Sequence, residues 1–114
     1  MNKNVFDFFD DLRSKPGMFI PSPISITHLD CVELMVFGYS VAIQNHDIAE
    51  PVRDFNREFG AYLRKTYGWS MSTGPYAAIA RSCSSDPEAS WAALWRYLDE
   101  FRESLGIPRR ESDV

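Results

Sequence analysis

Between Pro87 and Gly106 the apolar side chains keep helical time: Trp91, Trp95, Leu98, Phe101 and Leu105 recur at spacings of four, three, three and four. That rhythm puts all five on one face of an α-helix, with Ala92 and Leu94 flanking them. Ser85 and Glu88 form a capping-box pattern ahead of the run, and Pro87 suits a first helical turn. Gly106 stops the helix and Pro108 prevents its resumption. A face of two Trp, a Phe and two Leu is too apolar to stay wet. It predicts a body of further amphipathic segments packed around it.

The remaining chain supplies such segments. Val5, Phe9 and Leu12 share a face over a helix from Val5 to Ser14, widened by Phe6 and Phe8, with Asn4 as N-cap and Pro16-Gly17 as stop. On this reading Asp7, Asp10 and Asp11 lie on the surface. A second helix is expected from Thr27, capped by Thr27 with Asp30, with Leu29, Val32, Val36, Tyr39 and Ile43 in period. Cys31, Leu34, Met35 and Ala42 broaden its apolar surface, so the pattern predicts a central helix. Gly38 in its middle predicts close approach of another helix, since an interior Gly costs about 1 kcal/mol against Ala. The pattern predicts a third helix opening at Glu50-Pro51, with Val52, Phe55, Phe59 and Leu63 buried and Gly68 as stop. A short helix from Pro75 to Arg81 follows a loop at 69–74.

These elements define an all-α fold: a compact bundle-like arrangement of about four or five helices in one domain over residues 1–108, with 109–114 a flexible polar tail. The alternative is α+β, with residues 18–24 or 69–80 forming a minor strand pair. The chain has 114 residues, 45 % of them hydrophobic and 16 of them Phe, Tyr or Trp, enough for a core at this size. No leader is expected, because Met1 to Asn4 runs into alternating Phe and Asp. No run approaches the roughly 20 apolar residues of a membrane span.

Charge and chemistry narrow the function. The net charge of -4 argues against a general nucleic-acid binder. Cys31 and Cys83 read as reduced thiols of a cytoplasmic protein. His28 lies three residues before Cys31, yet no oxyanion-hole sequence accompanies them, so a buried thiol beside a capping histidine is the better reading. Two Cys and two His without CxxC or HxxxH spacing argue against a structural zinc site. The sequence therefore predicts no catalytic residues, no metal and no cofactor. Trp91 and Trp95 read as core, whereas Trp69, Tyr67 and Tyr76 sit around a loop, where exposed aromatics make interface anchors.

The run Lys15-Pro16-Gly17-Met18-Phe19-Ile20, placed after a short helix, is similar to an Arg/Lys-Pro-Gly-Met-Tyr/Phe-Ile/Leu stretch in small bacterial toxin-immunity proteins. Gly38-Tyr39, Tyr67-Gly68-Trp69 and Trp95-Arg96-Tyr97-Leu98-Asp99-Glu100-Phe101 extend the resemblance across the chain. The chain most resembles immunity proteins of contact-dependent growth inhibition and related polymorphic toxin systems. The resemblance implies a cytoplasmic, non-enzymatic protein that binds one cognate toxin domain, often a nuclease, and blocks it. Contact residues vary among such proteins, so none is assigned by motif. Acidity would complement a basic nuclease cleft. That reasoning nominates Asp99, Glu100 and Glu103 on the last helix, then Asp7, Asp10 and Asp11 on the first, with Trp69 as a loop anchor. Two other classes are a regulatory or structural module that self-associates through exposed aromatics and a small enzyme using His28 or Cys31.

Overall fold

The structure, a computed structural model, describes residues 4–15, 28–46, 50–52 and 54–107, with only the backbone of His28. Among these residues there are five helices and no strand, so the fold is all-α. Residues 69–80, weighed above as strand, form a loop and a helix instead. The motif at 15–20, the cap at Thr27 and the tail at 109–114 fall wholly or partly outside the described residues.

Helix α1 spans Val5–Ser14. The Asn4 side chain accepts from the Phe6 and Asp7 N–H groups at 2.9 and 3.3 Å, and the Asp7 carboxylate accepts from the Asn4 N–H at 2.9 Å. These bonds satisfy helix-end donors that would otherwise lack partners. Glu50 adds another, accepting from the Val5 N–H at 2.9 Å and from the Tyr39 hydroxyl at 3.1 Å. This corrects the expected start of the third helix. Glu50 and Pro51 lie ahead of it, with Glu50 tying α1 to α2, and α3 runs Phe55–Tyr67.

Helix α2, His28–Asn45, buries Leu29, Val32, Val36 and Ile43. Its opposite side is not central: Leu34 is 71 % exposed, Phe37 61 %, and Val41 also faces outward. A Cβ added at Gly38 would meet nothing within 4 Å, so no described element packs closely there. The expected close approach is absent because Gly38 lies on this outer side, between Phe37 and Val41.

Helix α4 spans Pro75–Ser82 and α5 spans Pro87–Ser104. The cap of α5 is Asp86, not Ser85: the Asp86 carboxylate accepts from the Ala89 N–H at 2.8 Å. Ser84 and Ser85 both take positive φ, a turn that leaves Asp86 extended and in place to cap. At the other end Gly106 adopts φ 74 while the Ile107 N–H reaches the Arg102 carbonyl and the Gly106 N–H the Glu103 carbonyl. That is a Schellman close, which the Gly conformation permits. Leu105 lies past the helix end and is exposed, so the buried stripe of α5 ends at Phe101.

The helices meet around Phe55. Its ring lies 4.9 Å from Phe9, 5.7 Å from Phe6, 5.6 Å from Phe59 and 5.6 Å from Phe101. Tilted and edge-on pairs at such distances add to the large area each ring buries. One ion pair sits inside this core: Arg102 donates to Asp10 at 2.8 and 3.4 Å, with its guanidinium 5.2 Å from the Phe6 ring centroid. No helix among the described residues is long and apolar enough to cross a membrane.

Candidate functional site

The C-terminal end of α3 and the middle of α5 build an aromatic and acidic patch. Gly68 takes φ 72 after α3 and reverses the chain, which lets Trp69 fold back on Tyr67. The two rings stack with centroids 5.1 Å apart. Both stand edge-on to Tyr97 of α5 at 5.3 Å. Arg96 lies over the Tyr97 ring at 4.8 Å and donates to its hydroxyl at 3.2 Å. Three aromatic rings and a guanidinium thus lock together at one place on the surface.

The acid comes from one turn further along α5. The Tyr67 hydroxyl donates to the Glu100 carboxylate. This bond, then partial burial, pushes the Tyr67 hydroxyl up to about 12, so it stays a donor at neutral pH. Glu103, three residues beyond Glu100, is exposed. Tyr62 of α3 is raised too, first by burial and then by the Glu100 charge, with a smaller effect from Glu103. Tyr67 is 38 % exposed, Trp69 half-buried and Tyr97 almost covered, so Tyr67 and Trp69 carry the accessible aromatic surface beside the Glu100 carboxylate.

Of the seven nominated residues, Trp69, Glu100 and Glu103 come together here. Asp99 turns toward α1 and pairs with Arg13 at 3.0 Å. Asp7 is engaged in the α1 cap. Asp11 is half-buried. Asp10 is a correction: it is only 3 % exposed, because the facing Arg102 draws it into the core. The α1 acids therefore do not form an open surface cluster. Tyr76, read beside Tyr67 as a loop aromatic, is fully buried and donates to Asn56 at 2.8 Å. Tyr97 and Arg96 were missing from the sequence-based site. The signal lay in the spacing of Tyr97 and Glu100, three apart on one helix and so on neighbouring turns.

Cys31 and Cys83 are half-buried and unbridged. Among the described residues no group of His, Cys, Asp and Glu is placed to hold a metal ion. In the patch Tyr67 and Glu100 form a hydroxyl–carboxylate pair. For binding, the rigid aromatics supply area at little entropic cost and the carboxylate supplies charge. Comparison with family models, with curated proteins and with solved structures gives no match.

Proposed function

We propose that this protein is a bacterial immunity protein that binds and neutralises a cognate toxin domain by covering it. The observation that carries this reading is the patch of Tyr67, Trp69 and Tyr97 around Glu100, with Glu103 beside it. The sequence resemblance to immunity proteins supports it. Enrichment in Tyr, Trp and Arg is the composition of interface hot spots. The acidic component selects a cationic partner, such as a nuclease with a basic substrate cleft, and acts chiefly on association rate. Blocking requires roughly 800 Å² from each partner, more than the patch itself, so neighbouring surface joins the contact. Binding in the cytoplasm, where such a toxin acts, completes the proposal.

The proposal expects a toxin domain encoded beside this chain, and the test uses that domain. Association is measured at low and high salt for the wild type, for Glu100→Lys with Glu103→Lys, and for Trp69→Ala. The charge reversals should slow association at least about tenfold at low salt and much less at high salt, where the screening length is roughly 3 Å at 1 M. Trp69→Ala should speed dissociation. No binding and no protection of cells by the wild-type protein would end the immunity reading. A second reading, a self-associating module, is favoured by the outward Leu34 and Phe37 of α2.

A further inference from the structure

Helix α3 has a second face that the patch does not use. Along it runs a groove of about 700 Å³ between α3 and the segment leading into α4. That volume lies within the roughly 300–1,000 Å³ of small-molecule sites. Gly60 and Ala61, the small middle of α3, line its floor. A Cβ on Gly60 would lie 3.6 Å from both the Met71 sulfur and Pro75 Cδ, so the helix backbone comes close to the opposite wall there. Next to it Ala61 leaves the space open. The opposite wall is braced: Arg81 donates to the Thr73 hydroxyl at 2.6 Å and to the Ser70 carbonyl at 3.1 Å. The groove is thus formed in advance of any occupant.

Its charges are arranged lengthwise. Asn56, in the first turn of α3, donates to the Glu33 carbonyl, and a Glu33 oxygen lies 3.1 Å from where a Gly74 Cβ would stand. The Glu33 carboxylate therefore marks one end. Arg64 and Lys65 mark the other, eight and nine residues along α3 from Asn56, or roughly 12–14 Å at 1.5 Å per residue. Arg57 flanks the first half. Arg57, Arg64 and Lys65 make no ion pair with a described residue. Three cations without such partners lie along one groove of a chain whose net charge is -4. An apolar floor with Arg64 and Lys65 paired at one end, and a carboxylate beside the single Arg57 at the other, selects a ligand with one anionic head and an apolar body. A second anionic group would meet Glu33.

We infer that this groove binds a small amphipathic carboxylate, with its head at Arg64 and Lys65 and its apolar body over Ala61, Met71 and Pro75. The site is separate from the aromatic patch and needs no toxin domain, so its test stands independently of the proposed function. The isotopically labelled protein is titrated with decanoate below its micelle concentration, with decyltrimethylammonium as the charge control. Decanoate should give saturable shifts in the Met71 methyl and the Gly60 and Ala61 amide signals. Arg64→Gln with Lys65→Gln should weaken it at least about tenfold, the factor for roughly 1.4 kcal/mol of lost charge-assisted contact. Ala61→Phe should abolish it. Ala61 is exposed, so that variant keeps the core, and retained core signals confirm it. Absence of saturation, equal binding of decyltrimethylammonium, or unchanged binding by folded Ala61→Phe overturns the inference. So does a leucine-rich acidic peptide that shifts these signals where decanoate does not.

Discussion

Asp10 and Arg102 show how one side chain can change meaning between sequence and structure. Along α1, Asp10 follows Phe6 by four residues, so it shares the side of the helix that carries Phe6 into the core. Arg102 is likewise next to Phe101, and both charges end up almost wholly covered. Removing water from two ions costs several kcal/mol each, and their pairing recovers this only while both are present. Asp10→Ala should therefore destabilise the protein by about 3–5 kcal/mol, read from the midpoint of a urea transition. Asp10→Leu combined with Arg102→Met should cost far less, because it removes both facing charges together. A single variant within about 1 kcal/mol of wild type would mean that the pair is solvated rather than buried. The Arg13 and Asp99 pair nearby is only half-covered, and by the same reasoning contributes little.

At the scale of elements, Gly38 is the informative position. It lies mid-helix in α2 with open space where a Cβ would go. Gly38→Ala should stabilise the protein by about 0.5–1 kcal/mol through backbone entropy alone, a gain visible as a higher denaturation midpoint. A loss of stability would reveal a neighbour packed on that side. The expectation of close approach failed because periodicity tells which residues share a face, not which face is covered. Local devices were more legible. The Asn4 cap and the Gly106 stop each depend on three or four adjacent residues, and both could be read directly. Ser85 and Asp86 are both capping residue types, and only the turn at 84–85 distinguishes them. A local pattern places Glu50 in α3, because its bonds to Val5 and Tyr39 span distances that no such pattern records. The same limit governs the site. Trp69 and Glu100 were identifiable as candidates, but their meeting depends on how α3 crosses α5.

For the whole molecule, the distribution of apolar surface decides between the two functional readings. The outward stripe of α2 would be covered in a self-associating module and left open in a monomeric inhibitor. If the second reading holds, sedimentation should show the mass rising with concentration, and Phe37→Asp should return it to a monomer. A constant monomer mass would remove that reading. The ion pairs of α1 with α5 bear on a different event. Asp10 and Arg102 stand 92 residues apart, and Arg13 and Asp99 stand 86 apart. On a ribosome α1 emerges before α5, so its buried Asp10 lacks the Arg102 partner until α5 has cleared the exit tunnel. Until then the Phe6 and Phe9 face has Phe55 to lean on but lacks Phe101 and Trp95. Completion of the core thereby waits for α5, and a chain cut short before residue 102 would carry the Asp10 acid into a core without the Arg102 cation that faces it.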